Sequence, residues 1–454
     1  MPTDDGVCLA NLFLFRPIQL MLISLQRSRI VFFFALTWLC IGHIDLSRPL
    51  MAGDWPQILG PDRNGVATDE TLATRWPADG PPLLWKRTIG RGYAGVAVQK
   101  DRAILFYRAD QTGNDEEVLE AVRLGDGSRL WKLGWKAHFT PTIFPAEDGP
   151  LCVPLIHNDR VFAFGGGGDL VAAGLESGQL IWSRDLYRQY RQRGGIIDFG
   201  YFGAGSSPIL QDDRLLVNVG GRAGAGIIAI NCANGKNIWQ ATNEGASYSA
   251  PVACTIDGER HVIFVTRYNT LSIDPHDGRV RFRFPFGRRG PTVNAASPVL
   301  QGDLLFTTAS YGVGSRLTRI AAEREEKIWA NDRGFASQYN TPIFHNGYLY
   351  GTDGRADIGS ASLRCIEMQT GKVMWEVPDF GVAALILVGN ELLIIRSDGK
   401  LMRAAADPIN FRLGAEASIA QGTVRALPAI SKGRLIIRDD SHVYCYNVGI
   451  VDDS

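Results

Sequence analysis

Arginine and aromatic side chains in glycine-rich loops are the residues of this chain best suited to bind a ligand. Guanidinium groups form paired hydrogen bonds with carboxylates, and aromatic rings provide flat apolar walls. We predict an anion-favouring pocket for a carboxylate-bearing ligand or a peptide, with Arg193, Arg222 and Arg267 as donors and Tyr201 as an apolar wall. The alternative is a polar rim that only interacts with solvent. The full set of candidate ligand-binding residues is Arg193, Tyr201, Arg222, Arg267, Asn294, Tyr339 and Arg425.

Motifs that would specify a catalytic or metal site are weak or absent in the sequence. The segment GGRAGAGIIA (220–229) contains GxGxxA but leads into a strand pattern, so it does not indicate nucleotide binding. ADQTGNDEE (109–117) lacks the alternating oxygen ligands of a calcium loop, and FGGGGD (164–169) is most simply a flexible turn. The sequence contains no GxSxG and no CxxC, and its histidines show no close spacing. We therefore predict no metal site and assign no catalytic residue.

Composition limits the class of partner and of fold. The chain has 454 residues, with 47 basic and 47 acidic side chains. This balance argues against nucleic acid as a partner, because nucleic-acid-binding proteins usually carry a basic field. Hydrophobic residues make up 45% of the chain, which is enough for a large core. The 51 glycines, scattered among apolar runs, indicate many tight turns between short strands.

The first 52 residues have the features of an export segment. Arg27 and Arg29 precede IVFFFALTWLCIG (30–42), an apolar run that is short for a membrane span of about 20 residues. Cleavage after Ala52 would leave Gly53 as the first residue, and Met21 would be a more natural start of translation. The alternative is that the segment is retained as a membrane anchor. Either outcome places the protein in the periplasm or at the cell surface.

A repeated pattern predicts the fold. Trp131, Trp182, Trp239 and Trp375 each follow a glycine by four residues and a small residue by ten. Less regular copies extend the series, so that the ring positions are 85, 131, 182, 239, 282, 329, 375 and 411. A period of about 45 residues with four strand patterns per unit is typical of a β-propeller.

The ends of the chain determine the number of blades. The last segment supplies three strand patterns and Cys445 but no tryptophan, whereas LLWKRTI near the start supplies Trp85 without a matching unit. Joined together they complete one blade and remove a free sheet edge. We predict an all-β, eight-bladed propeller over 76–449 with almost no helix, preceded by an N-terminal arm at 53–75. Seven blades is the alternative, if the short unit at 376–411 is not a full blade.

The units resemble the pyrroloquinoline quinone (PQQ)-like repeat, whose consensus is close to LYALDxxTGKxxW; the strongest matches are 226–239 and 362–375. The segment DWPQILGPDRNGV (54–66) is similar to the leader of exported PQQ-like repeat proteins. This resemblance implies the eight-bladed fold. It leaves two functions open, because the superfamily contains quinoprotein dehydrogenases, which hold PQQ and usually Ca²⁺ near the axis, and an outer-membrane protein assembly scaffold without a cofactor.

The chain departs from the dehydrogenases in three respects. It lacks the adjacent Cys-Cys pair typical of them, it lacks the CxxCH of the quinohaemoproteins, and no local motif matches the one around their catalytic Asp and Ca²⁺-binding Glu and Asn. We therefore expect a monomeric, non-catalytic scaffold that binds a protein, peptide or glycan on the loop face, with a possible membrane tether through 30–42. The alternative is a PQQ-dependent dehydrogenase that oxidises an alcohol or a sugar, and only this alternative requires PQQ and Ca²⁺.

Export gives the first testable prediction. Because the apolar run is too short for a comfortable membrane span, N-terminal sequencing of the protein from its native host should find a chain that begins near Gly53. Soluble cytoplasmic protein with an intact N-terminus would contradict export, and a membrane-bound intact chain would identify the segment as an anchor.

Overall fold

The computed structural model describes residues 53–109, 115–139, 149–192, 201–289 and 294–449. Within these ranges the chain forms eight antiparallel sheets of four strands, one of which gains a fifth, parallel strand. One short helix, α1 (Leu186–Gln192), lies among the described residues, and no helix there has the length and apolar composition needed to cross a bilayer. The prediction of an eight-bladed β-propeller with almost no helix is confirmed. The export segment at 1–52 lies outside the described residues.

The strands follow one another in chain order, and each blade is one sheet. Two strands precede the first blade, β1 (Val66–Ala67) and β2 (Leu83–Thr88). Blade one contains β3 (Ala97–Gln99), β4 (Arg102–Ala109), β5 (Glu116–Arg123) and β6 (Arg129–Lys136). Blade two contains β7 (Leu155–His157), β8 (Arg160–Phe164), β9 (Asp169–Gly174) and β10 (Leu180–Asp185). Blade three contains β11 (Ile209–Gln211), β12 (Arg214–Gly221), β13 (Ala225–Asn231) and β14 (Asn237–Ala241).

The second half of the ring repeats this order. Blade four contains β15 (Val252–Ile256), β16 (Glu259–Val265), β17 (Asn269–Ile273) and β18 (Val280–Pro285). Blade five contains β19 (Val299–Gln301), β20 (Leu304–Ala309), β21 (Gly314–Ile320) and β22 (Glu325–Asn331). Blade six contains β23 (Ile343–His345), β24 (Tyr348–Arg355), β25 (Ser360–Glu367) and β26 (Val373–Val377). Blade seven contains β27 (Ala383–Val388), β28 (Glu391–Arg396), β29 (Lys400–Ala405) and β30 (Leu413–Ser418). Blade eight contains β31 (Ala429–Ser431), β32 (Arg434–Arg438) and β33 (His442–Asn447).

The ring closes as the sequence predicts. Strand β2 pairs with β33, and Trp85 lies opposite Cys445, so the two ends of the chain complete blade eight. The seven-blade alternative is wrong, because β27–β30 form a full sheet. First strands of neighbouring blades contact one another, for example β3 with β7 and β31, which places the first strands nearest the axis.

The last ring position is wrong by four residues. Phe411 lies before β30, and Ala415 occupies the position opposite Arg403 that tryptophan takes in other blades. Phe411 instead packs on Trp375, with ring centres 5.7 Å apart, and on Phe380. Repeat spacing led to the nearest aromatic residue, Phe411, whereas strand pairing shows that Ala415 is the residue equivalent to the tryptophan of the other blades.

Each repeat tryptophan contacts the blade that follows its own. Five indole N–H groups donate to a carbonyl three residues before a glycine with positive φ. These pairs are Trp85 with Leu124, Trp131 with Leu175, Trp182 with Cys232, Trp239 with Pro275, and Trp329 with Met368, at 2.8–3.1 Å. The glycines are Gly127, Gly178, Gly235, Gly278 and Gly371, and a Cβ on any of them would lie 2.5–3.0 Å from the ring. The absence of a Cβ at the glycine therefore permits the positive φ of the turn and leaves room for the indole of the preceding blade.

The N-terminal arm lies against the axial strands. Its backbone or side chains contact the first strand, or the residue entering it, of seven blades. These contacts are Trp55 with Val98, Pro56 with Ile156, Arg63 with Pro208 and Pro251, Gly65 with Ile343, Val66 with Leu387, and Gly53 with Ser431. The arm thus occupies the axis of the propeller and links its inner strands.

Arg63 anchors the tip of this arm. Its Nε donates to Gln57 Oε1 at 2.8 Å, and its two Nη atoms donate to the carbonyls of Pro251 and Pro208. The side chain is buried, and burial lowers the pKa of the guanidinium. Among the described residues it has no carboxylate partner, so neutral acceptors hold the charge. The arm motif GPDRNG is therefore explained by packing in the channel.

The indole–glycine contact can be tested by substitution. Gly178→Ala would bring a Cβ to 2.5 Å from the Trp131 ring at φ +67°. We expect a loss of unfolding free energy of about 1–2 kcal/mol from the left-handed backbone and about 1–3 kcal/mol from overpacking. Gly258→Ala is the matched control, because Gly258 has φ +80° and nothing within 4 Å of the added Cβ. Urea denaturation measures both, and equal losses would contradict the contact.

Candidate functional site

One face of the propeller carries the candidate residues. Strands alternate in direction, so the segments that enter first strands and the turns between second and third strands emerge on the same side. We call this side the loop face and the other side the turn face. On the loop face lie Tyr201, Arg222, Arg267, Asn294, Tyr339 and Arg425. Arg193 lies outside the described residues.

Arg267 and Tyr201 lie together where blade four meets the segment entering blade three. The Arg267 Cζ is 5.3 Å from the centre of the Tyr201 ring and 5.8 Å from that of Tyr268. A guanidinium at this distance from a ring is attracted by its π electrons. The predicted pairing of an arginine with an aromatic wall is therefore present at this point, although the ring also restrains the arginine.

Asn294 supports the turn that carries Arg267. It is buried, and its Nδ2 donates to the carbonyls of Thr266 at 2.8 Å, Phe286 at 3.2 Å and Arg267 at 3.3 Å. These bonds use its amide hydrogens within the protein. Asn294 thus orients the turn that carries Arg267.

Arg425 and Tyr339 form a second group, which also includes Tyr93. The Arg425 Cζ lies 5.2 Å from the centre of the Tyr93 ring. Burial raises the pKa of Tyr339 to about 12, against an opposing effect of Arg425. These residues belong to segments entering blades one, six and eight. The sequence analysis missed Tyr93, whose place on the loop face follows from its position just before β3.

Arg222 lies in a groove that borders the first group at Tyr268. It is exposed and lines this groove beside the outer strands of blades three and four, with Glu244, Tyr268 and Arg283. Arg283 pairs with Glu244 at 3.2 Å in this groove. The structure therefore distributes the predicted residues over two arginine–tyrosine groups and one groove, and anion binding stays a prediction.

Arginine–aromatic stacking recurs around the loop face. Four arginines lie over a ring with Cζ-to-centre distances of 4.1–5.5 Å, namely Arg267 over Tyr201, Arg355 over Tyr311, Arg396 over Phe380 and Arg425 over Tyr93. Arg355 and Arg396 are the last residues of the second strands of their blades, and Arg267 follows the second strand of its blade by two residues. An arginine at the end of the second strand is therefore the sequence signal that could have identified Arg355 and Arg396.

A second cluster, at blades one and two, was missed. His138, Asp169 and Asp185 place their ligand atoms within 4.8 Å of one another, and the His138 Nδ1 is 3.1 Å from Asp169 Oδ2. Asp169 comes from the GGGGD turn, which the sequence analysis interpreted as a flexible loop. The sequence analysis predicted no metal site because the histidines show no close spacing, and that spacing carries no information about a cluster whose members lie 16 to 47 residues apart.

Glu117 lies behind this cluster and is fully buried. Its carboxylate accepts hydrogen bonds from the backbone N–H of Gly166 at 2.8 Å and from the Trp135 indole at 3.2 Å. Burial, with a smaller contribution from the nearby Asp169 carboxylate, raises the pKa of Glu117 to about 7. A Cβ at Gly165 would lie 1.8 Å from Glu117 Oε2, so the glycine turn is shaped around the carboxyl group.

Glu117 should make stability depend on pH near neutrality. Its folded-state pKa is about 7, above the unfolded value, so the folded chain holds an extra proton between about pH 4.5 and 7. The free energy of unfolding contributed by this group should fall as pH rises through that range. Denaturation of wild type and Glu117→Gln from pH 5 to 8 measures the difference, with exposed Glu176→Gln as the control. A wild-type curve parallel to that of Glu117→Gln would contradict the assignment.

Comparisons with solved structures identify the same architecture. BamB from Moraxella catarrhalis superposes with a TM-score of 0.57 at 14% identity, over 82% of this chain and 98% of that one. A europium-containing methanol dehydrogenase gives 0.63 at 10% identity, over 85% and 89%. The computationally designed Ika8 protein gives 0.54 at 11% identity, over 81% and 100%. At these identities the similarity shows the fold alone.

Sequence comparison is more specific about ancestry. No curated protein sequence matches the chain significantly. The family model described as outer membrane protein assembly factor BamB matches residues 114–377, more than half of the chain. The repeat pattern, the eight blades and this match agree, and the chain therefore belongs to that PQQ-like β-propeller family.

Proposed function

We propose that the protein is an exported scaffold that binds a protein or peptide on its loop face. The observation that supports this most directly is the set of four arginine–aromatic stacks on that face. Arginine and tyrosine are enriched at the energetic centres of protein interfaces, where a pre-ordered side chain loses little entropy on binding.

The surroundings of the stacks favour a partner with mixed polar and apolar groups. Tyr268 is 38% exposed beside Arg267, and Ile358 is 62% exposed on the turn that follows Arg355. Asp357 pairs with Arg355, and Asp398 pairs with Arg396. Because these arginines are partly neutralised, the face offers planar hydrogen-bond donors and apolar contacts without a strong net field. A peptide with carboxylate and apolar side chains fits this surface better than a polyanion.

The N-terminal arm supports the same choice of face. Its contacts with the inner strands of seven blades fill the axis of the propeller, so a ligand would meet the loops around the channel before the channel itself. Loops on a rigid scaffold are the usual place for binding groups. Tyr201 and Arg425 accordingly belong to the proposed interface, and Arg222 extends it towards the outer strands. Arg267 is only 9% exposed and contributes by holding the rings of Tyr201 and Tyr268.

The second candidate is a PQQ-dependent dehydrogenase, which the family resemblance and the methanol dehydrogenase fold favour. PQQ is a tricarboxylate, and the stacked arginines suit its carboxylates. The residues fit the rest of such a site poorly. The described cysteines, Cys152, Cys232, Cys254, Cys365 and Cys445, are free thiols spread over five blades, so no adjacent pair covers a quinone.

Site-specific photo-crosslinking in the native host tests the scaffold. A photoreactive residue at Tyr268 or Ile358 should give a discrete product with a protein partner, because both side chains are exposed on the loop face. The same residue at His276, which is exposed on the turn face, is the matched control. Arg355→Ala and Arg396→Ala, whose side chains are 29% and 24% exposed, should weaken the loop-face product, each loss of an interface arginine costing about 2 kcal/mol of binding.

Two outcomes would contradict the scaffold. Equal crosslinking from both faces would indicate contact without a specific interface. Tight binding of PQQ with Ca²⁺ by the purified protein, together with dye reduction in the presence of an alcohol, would establish the dehydrogenase instead. A glycan partner would appear as loop-face binding to an oligosaccharide array without a protein crosslink.

A further inference from the structure

We propose that His138, Asp169 and Asp185 form a binding site for one divalent transition-metal ion of the Zn²⁺ type, on the loop face between blades one and two. This site is independent of the proposed scaffold function. It combines three ligating side chains from three separate segments, with ligand atoms that all lie within 4.8 Å of one another.

Strand pairing fixes two of the three ligands. Asp169 is the first residue of β9, Asp185 is the last residue of β10, and the two residues lie directly opposite each other in the sheet. His138 follows β6 of the preceding blade and reaches across the junction, so that its Nδ1 lies 3.1 Å from Asp169 Oδ2. The site therefore spans a blade junction and depends on the propeller for its geometry.

The arrangement places negative charges together. Like charges at directly opposed strand positions are destabilising, and the Asp169 side chain is only 12% exposed. The cationic side chain that pairs with Asp185 is Arg188, which is 72% exposed and therefore well screened by solvent. A bound divalent cation would offset the repulsion between the two aspartates.

Asp185 is held in place by a bond that a metal would not disturb. Its Oδ1 accepts the backbone N–H of Arg188 at 2.8 Å, at the start of α1. The other oxygen, Oδ2, contacts the Arg188 guanidinium at 3.1 Å and would exchange this exposed contact for the ion. One carboxylate oxygen thus orients the group while the second remains accessible to the ion.

The ligand set selects the class of ion. Zn²⁺ binds imidazole nitrogen and carboxylate oxygen at about 2.0–2.2 Å with tetrahedral geometry, which places the ligand atoms about 3.3–3.6 Å apart. The three ligand atoms lie within 4.8 Å of one another, so side-chain rotations that draw them together by up to about 1.5 Å would complete the site. Ca²⁺ prefers six to eight oxygen ligands, at longer distances. Three protein ligands leave a coordination position for water or for a donor from a bound molecule.

Metal titration of the purified, chelator-treated full-length protein tests the site. Isothermal calorimetry should show one Zn²⁺ per chain, and Co²⁺ should give the visible absorption of a nitrogen–oxygen site. Asp169→Asn, Asp185→Asn and His138→Ala should each weaken Zn²⁺ binding at least tenfold. Asn at 185 can still accept the Arg188 N–H, which preserves the start of α1. His276→Ala and Asp277→Asn, on the turn face, are matched controls and should bind as wild type.

Three results would overturn the proposal. The folded protein could fail to bind Zn²⁺ saturably at one ion per chain, or Asp169→Asn and His138→Ala could both bind Zn²⁺ as wild type does. Loss of Zn²⁺ binding in His276→Ala would place the site elsewhere. Saturable Ca²⁺ binding without Zn²⁺ binding would show that the ion class is wrong. His138→Ala decides the matter if the buried Asp169→Asn variant does not fold, because the His138 side chain is 45% exposed and its removal leaves the core intact.

Discussion

The contact between an indole and a glycine of the next blade is the interaction on which the ring depends. A four-stranded sheet leaves apolar faces that it cannot cover alone, and the indole covers one of them while its N–H satisfies a backbone carbonyl of the neighbour. Glycine is needed for two reasons. The turn has a positive φ, and the indole ring occupies the volume that a Cβ would fill. Repetition of one contact thus sets the junction between successive blades around the ring.

The N-terminal arm compensates where this contact is missing. Blade seven has Ala415 at the tryptophan position, and its partner is Arg403. Arg403 donates to the Ala73 carbonyl of the arm, and its Cζ lies 5.9 Å from the ring of Trp76, the residue that follows the arm, so an indole from this segment lies beside the strand that lacks one. The same blade gains β1 as an additional strand. With Arg63 buried among the segments entering blades three and four, the arm links those blades to blade seven.

The local sequence pattern was sufficient to predict the strands and the blade number, because both depend on residues within a single repeat. It also predicted closure by Trp85, because the first and last segments of the propeller are each an incomplete blade. It was insufficient wherever a contact joins two repeats. Trp131 and Gly127 appear as one motif in the sequence, yet the ring of Trp131 packs on Gly178. Asp169 and Asp185 become opposed only through strand register. Glu117 and the glycine turn at 165–168 belong to different blades, so their contact had no local signal.

The arginines at the ends of second strands show why the repeat position specifies a face but not a role. Arg438 and Arg355 occupy this position in blades eight and six. Arg438 is buried and donates to the carbonyls of Gly90 and Phe106, so its donors hold neighbouring segments together. Arg355 lies over Tyr311 and pairs with an exposed aspartate, so its guanidinium stays at the surface. The deciding factor is how deeply the segment from the adjacent blade covers the position. The proposed interface on this face is therefore built from pairs of neighbouring loops, so a substitution in one blade would act on it through the loop of the next.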